Sequence, residues 1–307
     1  MPQRHDTAMD YRARMVRVLR RLQEAAGAGE PTPSVEELAK LAHFSRYHFS
    51  RLFSSMTGES VAAHTRRLRL ERGAGELAGT DRQVLDIALA CGFEAHESFA
   101  RAFKMHFGRT PSEFRAGARE PLDLPAAPNG VRYGPDDAAG RFVPLLRENP
   151  MAEVKVETVP ARRLAAVRHT GPYHEIGPAF ARVFSWAGPR GVLGPTTEAI
   201  GIYHDDHMQT QPEDLRADAC VTAPPGFGGD ADAGVRMVEI PACVCAIGLF
   251  KGPHARFAEV YQWFFGTWLP ASGHEPADGP CFELYLNNPQ QVAPEDCLTA
   301  IHIPVAG

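Results

Sequence analysis

At 307 residues, 44% of them hydrophobic, the chain has room for two ordinary domains. No apolar stretch is long enough for a membrane span or a signal peptide, and six cysteines without a C-x-x-C pair favour buried reduced thiols over a metal site or a disulfide framework, so a cytoplasmic protein is expected. The net charge of −5 conceals a split: residues 1–119 hold 19 Lys+Arg against 14 Asp+Glu, net +5, and the rest hold 13 against 23, net −10. A basic front suits phosphate contacts, whereas an acidic remainder repels nucleic acid and attracts cations.

From Asp10 to Ala26, Tyr11, Met15, Val18, Leu19 and Leu22 recur at helical spacing among arginines, which predicts a scaffold helix. Ser34 with Glu37 three residues on forms a capping box that starts a second helix. A connecting helix is expected over Val61 to Leu77; its Arg66, Arg67, Arg69 and Arg72 read as a solvated face, with phosphate contact as the alternative.

The stretch from Cys91 to Arg115 divides into turn, helix and stop. Gly92 supplies the positive φ of a sharp helix-to-helix turn, and Glu94 suits the start of the next helix. At about 100° per residue, Phe99, Phe103, Ala95, Ala102 and His106 share one side, and His96, Glu97, Ala100, Arg101 and Lys104 the other. One side packs and the other is free to read. The design is duplicated at a shift of 50, which lays Phe49 on Phe99, Arg51 on Arg101 and Phe53 on Phe103, with an outward set of Arg46, Tyr47, Ser50, Arg51 and Ser54. Two such helices on one body suit successive major-groove segments, roughly 34 Å apart.

The block from about Asp10 to Arg119 resembles the DNA-binding domain of AraC/XylS transcription regulators, most specifically through G-F-x-x-x-x-S-F-x-R-x-F-K-x-x-F-G-x-x-P-x-x-F-R from Gly92 to Arg115. The resemblance implies that Arg46, Tyr47, Ser50 and Arg51 face DNA from the first reading helix, and His96, Glu97, Arg101 and Lys104 from the second. Glu97 departs from the family, which often carries an amide or hydroxyl there. A carboxylate can only accept, so it suits cytosine N4 or the orienting of a neighbouring arginine.

Residues 118–150 are rich in Pro, Gly, Ala and Asp and read as a linker, with Phe142, Val143, Leu145 and Leu146 as a short apolar cluster that can order against a neighbour. The remainder is internally duplicated. Pro160-Ala161 and Gly171-Pro172 recur 81 residues later at Pro241-Ala242 and Gly252-Pro253; Tyr203 and Pro212-Glu213-Asp214 recur 82 residues later at Tyr285 and Pro294-Glu295-Asp296. Each module reads as a strand pair, a helix and another strand pair. The third strands differ: alternation in Phe282 to Asn287 puts Glu283 and Tyr285 on one face, where the first module has Gly201 and Tyr203. One module offers a gap where the other offers an acid.

This half resembles the GyrI-like domain, through the repeated Gly-Pro before each helix, D-G-P-C-F-E-L-Y-L-N-N-P from Asp278 and A-P-E-D-C-L-T-A-I-H-I-P at the end. The resemblance implies a groove for cationic or amphipathic aromatic compounds, with Glu283 as counter-charge and Tyr203 and Tyr285 as walls. The bland reading of Glu283 is a solvent-exposed sheet residue or one bonded to Tyr203. Tyr173, Trp186, Tyr261, Trp263 and Trp268, on helices that cover a sheet, are expected mainly in the core. His169, His174, His204 and His207 lack chelate spacing and are read as surface residues.

The expected fold is therefore multidomain: an all-α tandem helix-turn-helix domain at 10–117, a linker at 118–150, and an α+β duplicated domain at 151–307. The expected function is a ligand-responsive transcription regulator without cofactor, partnered by double-stranded DNA, a cationic or aromatic effector and, if an activator, RNA polymerase. The rival is a hydrolase or scavenger with Glu283 as base or nucleophile and Tyr285 as acid.

Overall fold

The computed structural model describes residues 3–117, 124–134 and 138–306, with side chains at 3–9, 46, 47 and 138 outside the described set. The chain forms two compact units, 1–146 and 147–307.

The first unit is helical: α1 (Gln3–Ala28), α2 (Val35–Ala42), α3 (Arg46–Thr57), α4 (Val61–Gly79), α5 (Val84–Ala90), α6 (His96–Phe107) and α7 (Pro111–Gly117). The capping box forms as its residue types require: Ser34 Oγ accepts from the Glu37 amide at 3.2 Å, and Glu37 Oε2 accepts from the Ser34 amide at 2.8 Å. The turn after α2 is made by His43 at φ 52°, and the equivalent turn after α5 by Gly92 at φ 76°. α4 is the spine, packing against α1, α3, α5, α6 and α7. Around it, Leu70, Ala74 and Leu77 bury Phe99, Phe103 and Phe114.

The arginines of α4 are neither a solvated face nor free for phosphate, Arg66 excepted. Arg67 is 5% exposed and donates to Glu59 Oε1 (2.7 Å), Glu59 Oε2 (2.8 Å), Glu71 Oε1 (3.0 Å) and the Val131 carbonyl (2.8 Å). Arg69 reaches the Gly92 carbonyl at 3.4 Å, and Arg72 the carbonyls of Ala26 and Ala90 at 3.2 and 2.5 Å. The Ala26 and Ala90 carbonyls lie in the last turns of α1 and α5, where helical donors run out, and a guanidinium fork can satisfy them. A periodicity plot registers the charge of these side chains but not the carbonyls that tertiary packing brings to them.

Much of the stretch read as a linker is folded onto the first unit. Asn129, Val131, Ala139 and Phe142 are buried; Asn129 Nδ2 donates to the Thr57 carbonyl at 3.1 Å and the Leu145 amide to the Met56 carbonyl at 3.0 Å. The Tyr133 amide donates to Glu71 Oε2 at 2.8 Å, and Arg12 donates to the carbonyls of Gly140 and Phe142. Low apolar periodicity hid this segment because it is held by its backbone groups and a few apolar side chains.

The second unit is one eight-stranded antiparallel sheet with two covering helices. Its strands are β1 (Val154–Val159), β2 (Arg162–Thr170), β3 (Ala199–Tyr203), β4 (Arg216–Thr222), β5 (Val235–Ile240), β6 (Cys243–Lys251), β7 (Cys281–Tyr285) and β8 (Leu298–Pro304), in the order β1-β6-β8-β7-β3-β4-β2-β5. α8 (Gly177–Ala187) follows β2. α9 (Phe257–Trp263) follows β6 and continues through a π-helical turn, Phe264–Trp268, into α10 (Leu269–Ser272).

The elements come in the expected order, but the first two strands of each module do not pair with each other. β1 pairs with β6 and β5 with β2, so each module lends its first strand to the other. The reason lies in the connectors Pro160-Ala161 and Pro241-Ala242. A two-residue hairpin needs positive φ at its centre, which proline cannot adopt, so the chain cannot fold straight back and crosses over instead. The modules meet at β3 and β7, where Gly201 stands opposite Glu283, Ala199 opposite Tyr285 and Tyr203 opposite Cys281.

Candidate functional site

On α6 the apolar face seats Phe99 and Phe103, both fully buried. The opposite face leaves His96, Glu97, Arg101 and Lys104 exposed. α6 has a polar, mostly cationic outer stripe beginning at its N-terminus, and Gly108 at φ 74° ends it. On α3 the picture differs. The side chains of Arg46 and Tyr47 lie outside the described residues, and Ser50 is half-buried. Arg51 is only 8% exposed and bonded within the chain, and Ser54 and Ser55 are buried as well. The C-terminal half of α3 thus lacks the open arc that periodicity assigns to it. Periodicity describes one helix on one core, and here the returning segment at Asn129 and Leu145 also packs on the helix end.

In the second unit, alternation along β3 and β7 brings Gly201, Tyr203, Glu283 and Tyr285 to the face covered by the helices. Glu283 is 1% exposed, so it is not an open sheet residue. Its Oε2 accepts from Tyr285 Oη at 2.8 Å and its Oε1 from Tyr261 Oη at 3.1 Å. The Tyr285 and Tyr203 hydroxyls are 2.7 Å apart, which extends the chain of hydroxyls across the module boundary. Burial first, and the Glu283 charge second, push both phenols well above their usual range, so they act as donors and not as bases.

Gly201 is what lets them converge. A Cβ there would lie 2.7 Å from Tyr285 Oη and 2.8 Å from Tyr203 Cε2. The gap inferred from the repeat is real, and the two tyrosines fill it. Further aromatics wall the cluster: Tyr173 edge-on to Tyr203 at 4.8 Å, Phe180 edge-on to Tyr285 at 5.5 Å, and His254 tilted against Tyr285 at 5.3 Å and stacked on Phe257 at 4.8 Å. Burial lowers His254, favouring a neutral ring.

Of the aromatics expected in the core, Trp186 and Trp263 are there, 5% and 6% exposed. Tyr173 and Tyr261 instead reach the site, and Phe180 and His254 join it unforeseen. The signal that finds all four is the repeat itself. At an offset of 81, Tyr173 is equivalent to His254 and Phe180 to Tyr261, just as at 82 Gly201 is equivalent to Glu283 and Tyr203 to Tyr285. The site consists of four pairs of equivalent positions around the β3–β7 seam.

Of the four histidines read as surface residues, His174 and His207 are exposed, whereas His169 and His204 are half-buried. His204 Nε2 lies 2.7 Å from Asp218, whose carboxylate also accepts from Arg168 and Arg236. His169 Nε2 lies 2.9 Å from the Pro172 carbonyl. Among the described residues no three His, Cys, Asp or Glu side chains gather as a metal set.

A duplicated helix-turn-helix body joined to a duplicated sheet with a sealed carboxylate–aromatic cluster defines a DNA-binding protein with a small-molecule-binding domain. Residues 152–306 match the family described as the GyrI-like small molecule binding domain, and residues 38–117 match a helix-turn-helix domain. The chain belongs to the GyrI-like family and carries an AraC-type helix-turn-helix domain in front. It is 33% identical over 156 residues to a DNA gyrase inhibitor of Edwardsiella piscicida, which covers 50% of this chain and 97% of that one. Over 98 residues it is 38% identical to the right origin-binding protein of Escherichia coli (strain K12), covering 30% of this chain and 34% of that protein. Among solved structures it is similar to the EcmrR C-terminal domain, with a TM-score of 0.43 and 18% identity over 50% of this chain and 97% of that chain.

Proposed function

We infer that the chain is a ligand-responsive, sequence-specific DNA-binding transcription regulator that acts as a binder and not as an enzyme. The observation that carries this is the joining, in one chain, of a basic AraC-type unit with a GyrI-like unit whose centre is a buried carboxylate among aromatic rings. His96, Glu97, Arg101 and Lys104 on α6, with Arg46, Tyr47 and Ser50 on α3, are the groups that would meet base edges and phosphates. Arg51 is omitted because the fold encloses it.

The effector is a lipophilic cation. A carboxylate removed from water is stabilised by a compensating positive charge, and tyrosine faces add about 0.5 to 2 kcal/mol of cation–π attraction each. Tyr203, Tyr285, Tyr173 and Phe180 are the rings that would have to part to present such faces beside Glu283. Hydrolysis is the weaker reading: a Glu283 acting as base or nucleophile would have to give up tyrosine hydroxyls that both its oxygens already accept from. The location is the cytoplasm, and RNA polymerase is the further partner if the protein activates.

The test is fluorescence binding of a lipophilic cationic dye to the full chain and to Glu283→Gln, with circular dichroism to confirm folding. The reading requires a loss of about tenfold or more in the variant with no turnover of the dye in either protein. Equal affinity would remove the counter-charge role, and dye consumption by the wild type but not by the variant would establish the hydrolase.

A further inference from the structure

Cys243 and Cys245 open β6, immediately after the Pro241-Ala242 connector that forbids a hairpin. Being two apart on a strand, they share a face, and their sulfurs lie 3.5 Å from each other. Cys245 is fully buried and Cys243 half-buried, so the pair has one open side. Glu283 pairs with Ile301, and Ile301 with Gly248, which is three residues from Cys245. The thiols therefore lie on the sheet face opposite the carboxylate cluster, packed with Val159, Ile240 and Phe282.

The spacing is that of a chelate. Two sulfurs bound to one soft centre at about 2.3 Å, with an angle near 100°, stand about 3.5 Å apart. No backbone motion is needed to reach it. Burial, and then the neighbouring thiol, push Cys245 upward, so that sulfur is held as a thiol at neutral pH. Two adjacent thiols, one of them accessible, suit a reagent that takes both sulfurs in turn.

We propose that Cys243 and Cys245 form a dithiol site for a soft, thiophilic trivalent metalloid, separate from the Glu283 cluster. With an organoarsenic(III) oxide the step balances: two As–S bonds form, and the oxide oxygen leaves as water with the two thiol protons. Arsenic stays trivalent and no oxidant is needed. Cys243, being accessible, adds first, and Cys245 closes the ring.

Phenylarsine oxide is the probe, with the full chain analysed by native mass spectrometry. One phenylarsenic group per chain is expected, with loss of two protons, stable to excess monothiol and removed by a dithiol. Cys243→Ala and Cys245→Ala should each weaken retention about a hundredfold, the chelate gain of a linked second ligand. Cys297→Ala should retain the adduct. Because Cys245 is buried, melting curves accompany each variant, and the accessible Cys243→Ser serves where Cys245→Ala fails to fold. An adduct that survives the Cys243 variants, or that monothiol strips from the wild type, would overturn the site.

Discussion

Gly201→Ala tests the geometry on which the proposed ligand site rests. The added Cβ would stand 2.7 Å from Tyr285 Oη and 2.8 Å from Tyr203 Cε2, against an ordinary contact of about 3.4 Å or more, so one phenol has to move by roughly 0.7 Å. That shift lengthens the 2.7 Å bond between the two hydroxyls to as much as about 3.4 Å and weakens it. Overpacking costs about 1 to 3 kcal/mol and the weakened bond up to about 1, while replacing glycine returns about 0.4 to 1 by restricting the unfolded chain. The net is a destabilisation of about 1 to 3 kcal/mol, or roughly 2 to 12 °C in the melting of a unit of this size. Calorimetry of the full chain should show this in the transition of the second unit alone. Dye affinity should fall with it, since Tyr285 also holds Glu283. An unchanged melting temperature, with unchanged dye binding, would mean that the tyrosines do not converge over Gly201 and would sink the proposed site.

Within α4, Gly75→Ala, which meets nothing within 4 Å on an exposed turn, should stabilise the first unit by about 0.5 to 1 kcal/mol, whereas Gly73→Ala, whose Cβ would come 2.9 Å from Phe99, should destabilise it; urea titration reads both. His302, held at about 4 by burial against an unfolded value of 6.5, resists protonation in the folded state. The second unit should therefore lose about 3 kcal/mol as pH falls from about 6.5 to about 4, and His302→Gln should flatten that slope in denaturation curves. In the first unit, burial alone would raise the Glu59 carboxyl, but bonds from Arg67 and His64 outweigh it and hold it at about 2. Its contribution is present above about 4.5 and is lost between there and about 2, so Glu59→Gln should reduce the acid sensitivity of that unit. Arg101→Ala with Lys104→Ala should weaken specific DNA binding by about 1 to 3 kcal/mol for a base contact and reduce the salt slope for a phosphate contact; an unchanged gel shift would remove α6 as a reading helix.

How far each reading could go depended on the range of the interaction behind it. Capping at Ser34 and Glu37, the glycine turn at Gly92 and the packed face of Phe99 and Phe103 are local, and sequence spacing suffices for them. The asymmetry of Gly201 and Glu283 was legible because a duplicated sequence compares itself. Tyr173, Phe180, Tyr261 and His254 were obscured by their place on helix-side segments, where aromatics mostly face the core, although the same repeat offsets connect them.

The sequence by itself determined two duplicated halves, their secondary elements, the polar outer face of α6 and the placing of Glu283 with Tyr285 on one strand face, because these follow from periodicity, turn chemistry and internal repetition. Only the tertiary structure decided that α4 arginines satisfy helix-end carbonyls, that Arg51 is enclosed, and that β1 and β5 change modules. Each depends on groups far apart in sequence meeting in space: a guanidinium and an orphan carbonyl, a returning segment and a helix end, a strand and the edge it can reach once proline forbids the nearer one.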